Sequence, residues 1–451
     1  MRLQRSKFHF VGIGGIGMCG LAELLKNMGA QVTGSDLSEN ANTDRLKSLG
    51  VEIHKGHLKE NVGDVDVLVY SSAVSLENPE MQEALARQIP LIPRAEALAE
   101  IMHLKRGVAV AGTHGKTTTT SMTASIFLAA NVKPTIVVGG RLDLIQSTAL
   151  LGSGEWMVVE ADESDGSFSK LSPEIAIITN IDSDHLDYYK SFENLKSAFL
   201  NFALKIPFYG SVIVWGDDPS IREIFQRFPK RVLMYGFEPH NDFVLKGEKG
   251  LYELLEGGKS RGFFEVHIPG KHNALNAAAS LIVGLQAGFS FETCAKGLMQ
   301  FSGVDRRFQF KGEAGGIQVF DDYGHHPTEV RAALQGFREK FPDRRLVVFF
   351  QPHRYSRTQI CWHDFTTCFT QCDDLLITDI YAAGEAPIDG ITSERLVAEV
   401  KHHSAQLVKK DDGPASVIKK TLKPGDVFVT LGAGDGWKVG LELLQMLKEK
   451  K

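Results

Sequence analysis

Short apolar runs alternate with helical patterns from one end of this sequence to the other, and that alternation constrains the fold more than any other feature. Runs at residues 8–11, 31–34, 65–70, 108–111, 157–160, 175–179, 212–215, 319–321, 346–350, 375–378 and 427–431 are mostly apolar and lack polar alternation. Strands buried on both faces read this way, and such strands belong to parallel sheets. Parallel neighbours need long crossover connections, which the intervening helical patterns supply. The class is therefore α/β with mostly parallel sheets. At 451 residues the chain has room for several domains. A basic, polar stretch at 103–107 and a charged, glycine-rich stretch at 303–316 divide it into three, at 1–105, 106–312 and 313–451. Within the middle part, residues 238–262 are polar and poorly periodic, and read as a hairpin excursion or a loop.

Composition excludes several function classes. A chain that is 43% hydrophobic and 23% charged buries a sizeable core and is not disordered. A net charge of -5 gives no reason to expect nucleic acid or an anionic membrane as partner. No apolar run approaches the roughly 20 residues of a membrane span. The beginning of the chain lacks the apolar core of a secretory signal, so a cytoplasmic location is expected. The cysteines are Cys19, Cys294, Cys361, Cys368 and Cys372, with no CxxC among them. The last three have spacings that share one helical face, and are expected as buried thiols rather than zinc ligands or disulfides.

Two glycine-rich loops carry the chemistry. Gly112-Thr113-His114-Gly115-Lys116-Thr117-Thr118 follows an apolar run and precedes a helical segment. A strand, a tight glycine turn and a helix start make a phosphate cradle, because amides and the helix dipole point at the anion. Lys116 reaches outer phosphates, and the Thr117 hydroxyl ligates Mg2+. The usual pattern has a further glycine where this chain has Val110, so the loop is a shortened variant. Gly12-Ile13-Gly14-Gly15-Ile16-Gly17 follows the first apolar run and fits the dinucleotide fingerprint of a Rossmann-like unit. Asp36 is placed beyond it for a ribose hydroxyl. Taken alone, this loop suggests a nicotinamide-dependent oxidoreductase. The glycines do not choose the nucleotide, since any diphosphate suits the same amides.

Ligands of open α/β sheets bind outside the carboxyl ends of the strands, and ionisable residues gather there in this sequence. Glu160 closes one run and opens Glu160-Ala161-Asp162-Glu163-Ser164-Asp165, parts of which read equally as a helix cap. His185, Asp321, Asp322, His325, His326, Gln351, His353, Arg354 and Arg357 follow other runs. A carboxylate at a strand end beside a phosphate loop is a natural handle for Mg2+. Asn273 and Asn276 share a face near the start of an Ala-rich helix, and read equally as a purine contact or as a helix cap. Asp305-Arg306-Arg307-Phe308 at the second boundary offers cations for phosphates.

Together these motifs resemble the Mur ligase family over nearly the whole chain. They include Gly12–Gly17 with Met18, Gly112–Thr118, Glu160 to Phe168, Asp184 to Tyr188, His272 to Ala278, Arg306 to Phe308, Asp321 to Glu329, Gln351 to Arg357, Tyr381 to Pro387 and Leu431 to Asp435. The departures are small, at Phe320 and at Gly436-Trp437.

The resemblance implies a Rossmann-like first part, a phosphate-loop middle part with a mostly parallel sheet, and a Rossmann-like last part that closes over the nucleotide. It implies ATP-dependent amide formation in peptidoglycan synthesis, with UDP-N-acetylmuramate and L-alanine as substrates and an acyl phosphate between the steps. Lys116 then contacts the β- and γ-phosphates, with Gly112, Thr113, His114, Gly115, Thr117 and Thr118 around them. Thr117 and Glu160 hold one Mg2+, and Glu160 with His185 a second. Asn273 and Asn276 lie at the adenine side, and Arg307 and Asp322 complete the ATP site. Gly12, Gly14, Gly15, Gly17, Asp36 and Ser71 hold the UDP-sugar. Tyr323, His325, His353 and Arg357 orient the two carboxylates, and His325 is a candidate general base. The runner-up is a ligase of the same family that attaches a recycled tripeptide. A monomer or a homodimer suits either.

Overall fold

Lys7–Val11 (β1), Gln31–Asp36 (β2), Glu52–Lys55 (β3), Val67–Tyr70 (β4) and Leu91–Pro93 (β5) form a parallel sheet in the order β3-β2-β1-β4-β5. The computed structural model describes residues 5–71, 73–142, 144, 145 and 147–449. In this sheet β1 has β2 on one side and β4 on the other, so the connections diverge and a crevice opens at its carboxyl end. The first glycine loop sits there, ahead of the helix Ile16–Asn27.

A second sheet takes Arg106–Ala111 (β6), Thr135–Leu142 (β7), Ser147–Leu150 (β8), Trp156–Glu160 (β9), Ile175–Ile178 (β10), Ser211–Trp215 (β11), Arg231–Gly236 (β12), Phe243–Glu248 (β13), Leu251–Glu256 (β14) and Lys259–Glu265 (β15). Its order is β15-β14-β13-β12-β11-β10-β6-β9-β7-β8, with β6 between β10 and β9 at the next divergence. The polar stretch at 238–262 holds β13, β14 and the start of β15, and β14 and β15 form the expected antiparallel hairpin. One face of that hairpin is exposed, which is why its residues are polar.

Gln309–Ala314 (β16), Ile317–Asp322 (β17), Leu346–Phe350 (β18), Asp374–Ile377 (β19), Ala405–Leu407 (β20) and Val427–Leu431 (β21) form a third sheet in the order β16-β17-β21-β18-β19-β20. Val348 and Phe350 of β18 feed one apolar cluster and Val347 and Phe349 another, one on each face. Burial on both faces explains the unbroken apolar run. The stretch at 303–316 is not all connection, because it contains the antiparallel edge strand β16.

The chain groups into two units. The first runs to Gly247 and includes Leu251–Glu265 and Leu275–Ser302; the second holds Glu248–Gly250, Val266–Ala274 and the chain from Gly303 onward. Within the first unit the two sheets share a continuous core, in which Phe10 and Val32 join Ala109, Val159 and Ile178. A buried carboxylate adds a polar tie. Glu23 on the helix Ile16–Asn27 accepts two bonds from Arg45 and a third, of 3.2 Å, from the Ser147 hydroxyl on β8. Both glycine loops belong to this unit.

All five cysteines are buried and none forms a disulfide among the described residues. They do not share a helix, however. Cys361 ends the helix Tyr355–Ile360, Cys368 lies in a turn beyond Trp362–Phe365 and Cys372 in the irregular segment that follows, where packing in the third sheet's core buries them. Among the described residues no helix is long and apolar enough to cross a membrane.

Candidate functional site

The shortened phosphate loop has a local cause. Val110 is fully buried in β6 and paired with Ile177 and Glu160, so the strand continues where a longer loop would have begun. The turn then runs through Gly112 at φ +132° and Gly115 at φ +81°, conformations that favour glycine. A Cβ on Gly112 would meet the Thr179 hydroxyl at 2.0 Å, and one on Gly115 would meet Asn276 Oδ1 at 2.8 Å. The residues after β10 carry the loop. Asn180 Oδ1 accepts from the His114 amide at 2.9 Å, and the Thr179 hydroxyl donates to the His114 carbonyl at 2.6 Å. The His114 ring pairs with Asp182 at 3.0 Å. The helix Lys116–Ala129 has no side-chain cap and no acid in its first turn, where Thr117 and Thr118 sit. Its leading amides therefore suit an anion.

Lys116 is folded back onto the loop. Its ammonium donates to the Gly112 carbonyl at 2.8 Å, the Thr113 carbonyl at 3.2 Å and Glu163 Oε1 at 2.8 Å. Burial opposes its charge, but Glu163, Asp162 and Glu160 outweigh that and hold it above the ordinary lysine value. Glu163 is fully buried, and burial pushes its carboxyl up to about 7 although Lys116 pulls it down. The His185 ring nitrogen lies 3.8 Å from Glu163 Oε1 and 3.7 Å from Asp184. Sequence reasoning left Glu163 inside an acidic run that could cap a helix. It is in fact the counter-ion of the loop lysine.

Glu160 ends β9 with both oxygens directed. Oε1 accepts from the Thr117 hydroxyl at 3.0 Å and Oε2 from the Gly139 amide at 2.7 Å. Burial raises its carboxyl above the usual range despite Lys116 and these bonds. Burial also opposes the charge of Asp162, yet Lys116, the Ser164 amide and Arg94 hold its carboxyl below that range. A hydroxyl and a desolvated carboxylate are hard oxygen donors of the kind Mg2+ takes, so Thr117 and Glu160 fit such an ion.

The first glycine loop is pinned by β2. The Gly12 and Ile13 amides donate to the Ser35 carbonyl at 2.9 and 3.0 Å. Asp36, expected at a ribose hydroxyl, instead accepts from the Gly14 amide at 2.8 Å and from Ser38 at 3.1 Å. Its carboxylate sits against the loop because β2 runs directly beneath the turn. A cavity of about 320 Å³ extends from Gly15, Gly17 and Ser71 to Gly139 and Glu160, with Arg94 on its wall. Glu160, which accepts from Thr117 of the second loop, thus stands in the same cavity as the first loop.

The second unit brings together Tyr323, His325, His353 and Arg357 at the carboxyl ends of β17 and β18. The His325 ring packs edge-on against Tyr323 at 5.2 Å and against His353 at 5.7 Å, and Tyr381 stacks on His353 at 5.5 Å. Arg357, only 7% exposed, lies with Nη1 3.4 Å from His353 Nδ1. Burial pushes His325 down to about 3 and, with Arg357 and Arg354, His353 down to about 4. Asp322 ends β17 and accepts from the Phe308 and Gly324 amides at 2.8 Å each; burial raises its carboxyl although Arg307 pulls it down. Arg307 lies 3.8 Å from Glu329 and 5.2 Å from the Tyr323 ring. Its neighbour Arg306 has another task, bonding Asp321 at 2.8 Å and the Gly432 carbonyl at 2.6 Å. Asn273 does not cap its helix. It is the third residue of the helix Lys271–Gln286, and its amide donates to the Pro269 carbonyl at 2.7 Å.

Family models match three successive stretches: "Mur ligase family, catalytic domain" over residues 7–106, "Mur ligase middle domain" over 110–284 and "Mur ligase, glutamate ligase domain" over 306–434. The chain belongs to the Mur ligase family. UDP-N-acetylmuramate–L-alanine ligase of Bdellovibrio bacteriovorus is 68% identical over 453 residues, spanning 99% of this chain and 100% of that protein. The enzyme of the same name from Oleidesulfovibrio alaskensis is 48% identical over 441 residues, 96% of this chain and 97% of that one. The crystal structure of UDP-N-acetylmuramate-alanine ligase from Thermotoga maritima matches with a TM-score of 0.82 and 29% identity, covering 99% of this chain and 100% of that chain. The three-domain α/β fold with mostly parallel sheets is thus that of a Mur ligase. The oxidoreductase alternative is not supported, and in a Mur ligase the first glycine loop has a use without nicotinamide.

Proposed function

We propose that this Mur ligase uses ATP to join L-alanine to the lactyl carboxylate of UDP-N-acetylmuramate in peptidoglycan synthesis. Likeness to alanine-adding ligases along the whole chain supports the substrates. The observation that carries the chemistry is the cavity that runs from the first glycine loop to Glu160, the carboxylate that accepts from Thr117 of the second loop. A dehydrogenase has no use for the second loop, and a simple nucleotide hydrolase has none for the first. The assigned working regions are 1–105 for the UDP-sugar, 106–312 for ATP and 313–451 for the amino acid. ATP and the nucleotide sugar assign the work to the cytoplasm.

The reaction runs in two steps. The lactyl carboxylate attacks the γ-phosphorus of ATP, giving an acyl phosphate and ADP. The alanine amine then attacks the acyl carbon, and phosphate leaves. A carboxylate and a triphosphate repel, so this chain must supply positive charge and alignment. The amides from Gly112 to Thr118 cradle the β- and γ-phosphates, and Lys116 turns from Glu163 to the phosphate oxygens. Thr117 and Glu160 would hold one Mg2+, and Glu160 with His185 a second. When bound, the ion neutralises the phosphate oxygens. Gly12, Gly14, Gly15, Gly17 and Ser71 seat the sugar diphosphate, and Asp36 keeps the Gly14 turn in shape. Asn273 and Asn276 lie at the adenine side, where Asn276 also stands against Gly115 of the second loop and Asn273 anchors the start of its own helix.

In the second unit Arg307 and Asp322 act on the nucleotide side, and Tyr323, His325, His353 and Arg357 orient carboxylates. A general-base role does not suit His325. Its ring is neutral at pH 7, but a group held near 3 accepts a proton from an ammonium only at a large uphill cost. Orientation by hydrogen bonding fits the neutral ring.

The test is phosphate release with UDP-N-acetylmuramate, ATP and Mg2+, comparing L-alanine, L-serine, glycine and a tripeptide. Release that depends on L-alanine, with amide product, is the expected result. Release that ignores the amino acid rejects the ligase reading, and preference for the tripeptide moves the chain to the recycling branch.

A further inference from the structure

Arg94 has no role in the chemistry described so far, yet it lines the cavity of the first glycine loop. It is the first residue of the helix Arg94–Met102, directly after β5. A cation at that end of a helix faces the positive end of the dipole, which disfavours it. Among the described residues Arg94 has no ion-pair or hydrogen-bond partner. Structural arginines in this chain look different: Arg45, Arg106, Arg306 and Arg345 each bond a carboxylate. The charge of Arg94 is felt by Asp162, whose carboxyl it helps hold low, but no carboxylate meets it at ion-pair distance, and a half-buried guanidinium so placed is open to an anion from outside the protein.

The neighbour of its guanidinium shows where such an anion would sit. A Cβ built on Gly17 would have as its three nearest atoms Arg94 Nη1 at 3.1 Å and Cδ and Cζ at 3.2 Å. The third glycine of a dinucleotide fingerprint ordinarily lets helix and strand pack closely. Here no strand atom is among those three, so the small residue makes room for the arginine. Arg94 therefore lies against the first turn of the helix Ile16–Asn27 at Gly17, and Gly15 to Met18 line the same cavity. Backbone amides on one side and a planar five-donor fork on the other form a two-sided seat for phosphate oxygens. Glu160, Asp162 and Asp165 also line the cavity, so an anion is favoured where the Arg94 guanidinium and the Gly15 to Met18 backbone lie.

We infer that Arg94 is a substrate-binding residue that clasps the diphosphate of the sugar nucleotide against the first glycine loop, and that Gly17 is glycine so that the guanidinium can lie there. The inference rests on the ligase reading, since it needs a nucleoside diphosphate in this cavity. The group gripped is the second phosphate, so binding separates UDP from UMP through Arg94.

Calorimetry on the full chain tests this with UDP, UMP and UDP-N-acetylmuramate as probes, and thermal melting checks that each variant is folded. The wild type binds UDP more tightly than UMP. Arg94→Gln weakens UDP and UDP-N-acetylmuramate by about tenfold to a hundredfold, the loss of one charged hydrogen-bonding partner, and weakens UMP far less. The KM for ATP stays at the wild-type value. Arg94→Lys keeps part of the affinity, because charge without the fork remains. Gly17→Ala displaces the guanidinium and gives the same selective loss, and adding Arg94→Gln to it costs nothing more. UDP affinity within twofold of wild type in Arg94→Gln overturns the assignment of Arg94 alone. A wild type that binds neither UDP nor UDP-N-acetylmuramate overturns the ligase reading and this inference with it.

Discussion

The pairing of Lys116 with Glu163 shows how one contact can prepare a site for its ligand. In water a lysine and a glutamate gain little from meeting, but Glu163 is fully buried and Lys116 only 14% exposed, so little solvent competes for either. Glu163 occupies the ammonium that a triphosphate would claim, so nucleotide binding must break the pair. Two variants separate the roles. Lys116→Ala removes charge from the transferring phosphoryl group and lowers kcat by at least about a hundredfold, as losing a preorganised transition-state contact does. UDP-sugar affinity stays near the wild-type value, because the first loop is untouched. Retained ligation in purified Lys116→Ala would sink the phosphate-loop assignment. Glu163→Gln removes the competitor and lowers the KM for ATP severalfold while the first loop still binds UDP; an increase in KM would mean that Glu163 serves the nucleotide directly. Neither Glu163 nor Arg94 was legible as functional in the sequence. Glu163 lies 47 residues from Lys116, and only the register of β6 against β9 brings them together. No spacing rule spans that distance, whereas Lys116 and Thr117 were legible because their whole motif is contiguous.

At the level of elements, the legible strands were those buried on both faces. β18 and β21 have the bounds their apolar runs predict, because every residue in them has a core to face. Polar edges gave no such signal. β3, β5, β16 and β20 lie at sheet edges with partly exposed residues, and the antiparallel additions β8, β14 and β15 follow the same logic. β7 is the instructive exception, since its apolar start is followed by Gly139 and Gly140, which read as a turn. Gly139 is glycine for a reason of chemistry. A Cβ there would lie 2.6 Å from Glu160 Oε1, and the same residue's amide holds Glu160 Oε2. The strand end and the carboxylate are built around each other. Gly139→Ala therefore pushes the Glu160 carboxylate out of line with Thr117. We expect kcat to fall at least about tenfold, with a higher Mg2+ requirement and little change in UDP affinity, since misplacement of a positioned group acts on the chemical step. Titrating Mg2+ at saturating substrates checks this, and an unchanged Mg2+ dependence would remove Gly139 from the metal-binding arrangement.

Across the whole molecule, protonation should act unevenly on the two units. In the second unit His272, His325 and His353 are pushed down to about 4, 3 and 4, each chiefly by burial. An unfolded histidine titrates near 6.5, so from there downward the unfolded chain takes up protons that the folded unit refuses. Stability is full above about 6.5 and is lost as pH falls toward the folded values. Asp373, Asp374, Glu385 and Asp435, all held below the usual range against burial, add loss in the same direction at lower pH. Asp322, raised by burial, opposes them alone among the shifted carboxyls of this unit. The first unit is balanced differently. Glu163, pushed up to about 7, contributes stability that is full below about 4.5 and is lost as pH rises through 7, and Glu160 shifts the same way. Glu80 and Asp162, held low, run against them. Acidification from pH 7 to pH 5 should therefore loosen the second unit first. Amide hydrogen exchange, with rates corrected for the intrinsic effect of pH, should show β18 and β21 losing protection while β6 and β10 keep theirs. His353→Gln should flatten the response of the second unit, since a side chain that cannot titrate removes one proton from the difference. Loss of protection in β6 and β10 ahead of β18 and β21 would mean that the buried carboxylates of the first unit, rather than the histidines of the second, set the acid limit of the fold.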